Sequence, residues 1–172
     1  MKVLGIDPGS AVTGYGVVEG VPARLGSARL VECGVVRAGD GPLSGRLLAI
    51  HRDLGALLAR HRPDVVSVEG IFFGRNARST VVLGHARGVV ILTAAEAGLD
   101  VFEYAPRLVK QAVVGRGEAT KAQVGWMVAK LLRLERAPSP PDAADGVALA
   151  LAHLVLAARP AVVRRVMRAS GK

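Results

Sequence analysis

The chain has 172 residues, 23 of them Lys or Arg and 14 Asp or Glu, which leaves a formal charge of +9 at neutral pH. With 51% apolar against 22% charged residues it carries enough material for one packed core, which excludes intrinsic disorder and a fibrous chain. The lone Cys33 excludes an intramolecular disulfide and a thiolate zinc site, the four His show no metal-ligand spacing, and the most apolar late stretch, 148–158, is too short to span a bilayer. A cytoplasmic protein with an anionic partner is expected, nucleic acid before a membrane surface. Only six aromatic residues occur, so Val, Leu, Ile and Ala must fill the core, which favours a layered α/β packing.

In chain order, Lys2 to Ile6 is an unbroken apolar run stopped by Asp7-Pro8-Gly9-Ser10, the pattern of a buried strand ending in a turn. Thr13 to Glu19 and Ala28 to Arg37 read as the next two strands of an antiparallel meander. From Leu43 to His61, Leu47, Leu48, Ile50, Leu54, Leu57 and Leu58 recur at helical spacing until Pro63. Asp64 to Glu69 is a short apolar strand, and its place after a helix implies a crossover to a parallel partner beside the first strand.

A small-residue helix over 77–97, a strand at Asp100 to Tyr104, and helices near 106–114, 120–134 and 142–158 follow. Trp126, flanked by Val124 and Val128, reads as core. Residues 1–158 therefore form one domain with five strands, and 159–172, with Arg164, Arg165, Arg168 and Lys172, a flexible basic tail.

Asp7 and Glu69 each close a strand that reads as buried on both faces, so parallel pairing would bring both carboxylates out at one sheet edge. Asp142 and Asp145 lie three apart at a helix start, hence on one face. Four such acids repel unless cations neutralise them, and an oxygen-only set suits Mg²⁺, with Mn²⁺ as a substitute. In a basic chain that chemistry is phosphodiester hydrolysis, for which two metal ions per site are the usual arrangement. Each acid alone has an ordinary reading: a turn initiator at Asp7, a solvated strand end at Glu69, a helix cap and a dipole partner at Asp142 and Asp145.

Several ordered motifs then carry a family resemblance. G-I-D-P-G-S-x-x-T-G-Y-G (5–16), Glu69 followed by I-F-F-G-R-N-A-R-S (71–79), L-G-x-A-R-G (83–88), F-E-Y-A-P-R-x-V-K-Q (102–111), V-V-G-x-G (113–117) and D-A-A-D-G-V-A-L-A (142–150) resemble the RuvC family of bacterial Holliday-junction endonucleases. The match spans about Met1 to His153. It implies an α/β ribonuclease-H-like fold, a mixed five-stranded sheet flanked by helices on both faces, and a homodimer on four-way junction DNA. It further implies symmetric paired nicks leaving 5'-phosphate and 3'-hydroxyl ends, and a RuvA-RuvB branch-migration partner. Carried over by motif, Asp7, Glu69, Asp142 and Asp145 bind the metal, Lys110 and Lys121 sit beside them, and Phe72 is the wedge at the crossover.

Phe72 and Phe73, adjacent between Gly70 and Gly74, point opposite ways in extended chain, so one can anchor the loop while the other stacks on a base. Arg75, Arg78 and Arg116, the last bracketed by Gly115 and Gly117, can grip phosphates. Gly84 and Gly88 share a helix face, for close packing within the chain or between two copies. The first motif also resembles the phosphate loop of actin-like kinases, which need a second lobe for which 172 residues leave no room. A noncatalytic junction-binding protein of the same fold is the other alternative, and the presence of all four acids argues against it.

Overall fold

The computed structural model describes residues 1–70, 77–157 and 164–167, with the backbone alone for Ala77, Arg78 and 164–167. The meander forms as β1 (Lys2–Asp7), β2 (Val12–Val21) and β3 (Arg24–Arg37), followed by α1 (Leu43–His61), β4 (Val65–Glu69), α2 (Ala77–Glu96), β5 (Asp100–Tyr104), α3 (Pro106–Val114), α4 (Lys121–Leu131) and α5 (Pro141–Leu156). The expected elements are all present, with ends shifted by a few residues at most. A sixth strand, β6 (Arg164–Met167), pairs antiparallel with β5, so the sheet has one strand more than the five read from sequence. These four residues lie in the stretch expected to be a flexible tail; the exposed edge of β5 supplies the hydrogen-bonding partner that the local sequence does not announce.

The sheet order is β3-β2-β1-β4-β5-β6. β1 pairs antiparallel with β2 and parallel with β4, and β4 pairs parallel with β5. The two parallel joins require crossovers, which α1 and α2 provide, and this is the mixed sheet of the ribonuclease-H-like fold. Strand alternation then divides the core. Leu4, Ile6, Val17, Val66 and Val68 face Ile50, Leu54, Leu57, Ala86, Val90 and Ala94 of α1 and α2. Val3, Val18 and Val65 face α5 and, around it, Val109, Val113, Val124 and Val128 of α3 and α4.

Helix α5 is buried along most of its length and lies unusually near the sheet. A Cβ on Gly5 would fall 2.1 Å from the Gly146 carbonyl oxygen, one on Gly14 2.0 Å from that of Asp142, and one on Gly146 2.6 Å from the Tyr15 backbone. No real Cβ tolerates such distances, so glycine on both sides is the condition for this contact. Below it, the Ser67 hydroxyl donates to the Leu149 carbonyl at 3.0 Å, tying β4 to the same helix.

Trp126 is not core: it is 59% exposed. Residues two apart on a helix lie about 200° apart, so the face of α4 that buries Val124, Gly125, Val128 and Ala129 leaves Trp126 outside, where the Lys130 ammonium sits 4.8 Å from its ring centroid. Among the described residues Gly84 and Gly88 make no close packing contact, since a Cβ on either would meet nothing within 4 Å. No helix among the described residues is long and apolar enough to cross a membrane.

The glycine contact yields a direct expectation. Gly146→Ala should destabilise the protein by about 1–3 kcal/mol, the usual cost of overpacking, read from the urea midpoint at unchanged m-value. An unchanged midpoint would mean that α5 can lift off the strands freely.

Candidate metal and nuclease centre

Alternation places Asp7 and Glu69 on the α5 side of neighbouring strands. Ile6 and Val68 are in register, so the two carboxylates follow side by side at the C-terminal edge of the sheet. Gly14 lets the first turn of α5 come down beside them, and Asp142 and Asp145 point into the same place from that turn. Carboxylate oxygens of Asp7, Asp142 and Asp145 lie within 4.8 Å of one another, and all three residues are partly buried. Glu69 joins through a hydrogen bond with Asp7 and lines the same cavity, of about 260 Å³, with Lys110, Lys121 and Asp145. The structure thus brings together all four acids and both lysines named from sequence.

Proximity and burial raise the acidity constants. Asp7 is pushed up to about 8, first by burial and then by the neighbouring Glu69 and Asp145 charges. Glu69 is also raised, chiefly by burial, with Lys121 and Lys110 opposing. The pair therefore shares a proton when no other cation is near. Lys121 donates from Nζ to Asp145 Oδ2 at 2.6 Å, and that bond is the main cause holding its ammonium charged above the ordinary lysine value.

Sequence reasoning missed what aims Lys121. Thr120 caps α4, its hydroxyl accepting from the Gln123 amide N–H while the Gln123 side chain accepts from the Thr120 N–H, which fixes Lys121 as the first helical residue. The T-x-x-Q signature was present in the sequence. Also missed were two supports behind the site. Tyr104 and His153 hydrogen-bond at 2.8 Å between β5 and α5, and burial pushes His153 down to about 4, so it stays neutral and bonded rather than serving as a ligand. Arg87 of α2 pairs with Glu103 of β5 at 2.7 Å, and the Glu103 side chain packs on Gly70, directly after Glu69.

Arg116 stands exposed just past α3, after Gly115 with φ of 87°. Phe72, Phe73, Arg75 and the side chain of Arg78 lie outside the described residues.

The family profile of the crossover junction endodeoxyribonuclease RuvC matches residues 3–153. The chain belongs to the RuvC family. It is 52% identical over 165 residues to the crossover junction endodeoxyribonuclease RuvC of Alkalilimnicola ehrlichii, covering 95% of this chain and 97% of that one. It is 48% identical over 154 residues to the RuvC of Pelotomaculum thermopropionicum, covering 89% and 92%. Among solved structures, Thermus thermophilus RuvC in complex with a Holliday junction substrate superposes with a TM-score of 0.88 at 40% identity, over 96% of this chain and 99% of that one.

The raised Asp7 value sets a pH dependence. Between the ordinary aspartate value of 3.8 and about 8 the folded protein holds a proton that the unfolded chain has released, so stability falls as pH rises through that window. In chelator, the Tm should fall from pH 5 to pH 8, and Asp7→Asn should raise it at pH 8 by about 3 °C or more. A Tm flat with pH and indifferent to the substitution would contradict the shared-proton description.

Proposed function

We propose that this RuvC-family chain resolves four-way DNA junctions in the cytoplasm, as a homodimer whose two-fold axis matches that of the junction and whose two sites nick opposing strands symmetrically. It is a crossover junction endodeoxyribonuclease serving recombination and repair. The observation that carries the mechanism is the convergence of Asp7, Asp142 and Asp145 within 4.8 Å, with Glu69 bonded to Asp7, in a chain of charge +9.

The donor set is all carboxylate oxygen, and the raised Asp7 and Glu69 values express a demand for positive charge, so the residues fit hard divalent cations. Asp7, Glu69, Asp142 and Asp145 would hold them, Mg²⁺ by preference with Mn²⁺ substituting, two per site. When bound, such ions polarise a phosphodiester and generate a nucleophilic hydroxide at neutral pH, leaving 5'-phosphate and 3'-hydroxyl ends. The chain itself contributes the rest. Lys121 and Lys110, on the rim of the same cavity, attract the scissile phosphate and stabilise charge that develops on it. Phe72, with Phe73, opens or stacks on the crossover, and Arg75, Arg78 and Arg116 hold flanking phosphates. A branch-migration complex of the RuvA-RuvB kind supplies the junction.

The dimer reading is supported by α2. Val81 and Leu92 are 58% and 54% exposed, and Gly84 and Gly88 leave open space on that helix, a shape suited to a second copy of the same face. Leu92→Arg should give a monomer in sedimentation that retains its circular dichroism and loses coordinated nicking; an intact dimer would move the interface elsewhere.

The central test is a nicking assay on a synthetic four-way junction beside a matched linear duplex. Asp7→Asn should bind the junction as the wild type does while Mg²⁺-dependent nicking falls on the order of 10²–10³-fold or further. Full cleavage by this variant would remove Asp7 from the metal site.

A further inference from the structure

At the sheet edge that carries the acids, but on the opposite face, lies a second cavity of about 400 Å³ lined by Ser10, Arg46, Ser79, Val82 and Leu83. Three separate segments meet there: the turn after Asp7, the first turn of α1, and the first two turns of α2. Among the described residues that line it, Arg46 is the charged one. Its Nη1 makes two long contacts, 3.4 Å each, to the Ser10 carbonyl and hydroxyl oxygens, and its Nε is buried without a hydrogen-bond partner. No carboxylate pairs with Arg46 among the described residues, and the segments outside them contain no Asp or Glu.

A partly buried guanidinium with an orphaned N–H and two long bonds is an incomplete arrangement. Five donors in a planar fork match a phosphate or carboxylate, and a buried charge without a counter-ion is costly to keep. Its neighbours indicate which anion. The Ser10 hydroxyl accepts from Arg46 and keeps its own O–H to donate to a phosphate oxygen, and Val82 and Leu83 form an apolar wall. The site is also within reach of the acidic centre: Ser10 is three residues from Asp7, at most about 11 Å of chain.

We propose that Arg46, with Ser10, binds a backbone phosphodiester of the junction strand close to the phosphate at the carboxylates, so that the strand is held on both faces of the sheet edge. This rests on the junction-nuclease reading and extends it to a residue that none of the family motifs includes. The turn carrying Ser10 is pre-shaped, because the Thr13 hydroxyl donates to the Gly9 carbonyl at 2.8 Å and accepts from the Gly9 N–H at 3.3 Å. The phosphate subsite therefore shares one rigid turn with Asp7, and occupying it would locate the neighbouring phosphate at the acids.

The test uses the full chain, fluorescently labelled four-way junction and linear duplex, chelator to prevent cleavage, and a series of salt concentrations. Arg46→Ala should weaken junction binding about tenfold and lower the log–log salt slope by about one, the signature of one lost phosphate contact. Arg46→Lys should keep the slope while recovering part of the affinity, since an ammonium retains charge without the fork. Arg52→Ala is the control for charge removal on the same helix, because Arg52 is exposed and paired with Asp53, and it should leave both quantities unchanged.

Equal affinity and slope for Arg46→Ala and wild type would overturn the proposal while leaving the nuclease reading intact. So would a lowered Tm with an unchanged slope, which would make Arg46 a strut between α1 and the Asp7 turn. A wild-type chain that neither prefers nor nicks the junction would overturn both readings together.

Discussion

Helix α5 rests backbone to backbone on β1 and β2, and the geometry of the acidic centre follows from that contact. Gly5, Gly14 and Gly16 on the strands and Gly146 on the helix remove the side chains that would hold the layers apart where the first half of α5 crosses β1 and β2. Sheet and helix ordinarily pack with side chains interleaved between them. Here the separation is set by main-chain atoms, so Asp142 and Asp145 arrive beside Asp7 at a distance that rotamer changes in the core do not adjust. Glu69 is fixed with equal directness, because β4 is β1's parallel neighbour in register.

Such precision has an electrostatic cost. Four carboxylates converge at a partly buried site, and without added cations the structure answers by sharing a proton between Asp7 and Glu69 and by laying Lys121 on Asp145. The site is thus repulsive in itself and attractive once cations enter. That ordering suits an enzyme whose substrate is a polyanion, since the acids would otherwise oppose the approach of the strand that the surrounding basic residues draw in.

Much of this was legible in the sequence. Strand ends at Asp7 and Glu69 could be read because apolar runs stop there, and the i, i+3 spacing of Asp142 and Asp145 settles their common face. The α1 boundaries follow from periodicity and Pro63. What escaped depends on partners distant in the chain. Trp126 looked like core because Val124 and Val128 flank it, a pattern that would bury it in a strand but turns it outward on a helix. Arg87, Glu103, Tyr104 and His153 form their bonds across layers, and no local pattern marks them. The glycines were visible as letters, whereas what each one faces is a property of the packed sheet.

β6 also has a consequence for the chain's outer boundary. β5 is a parallel strand whose free side, without Arg164–Met167, would present a row of unpaired N–H and C=O groups. Arg164–Met167 occupy that row, so the edge of β5 is paired rather than open. A segment that resembles dispensable trailing sequence is the border strip of the sheet, and shortening the chain there would open a seam along which two molecules could join.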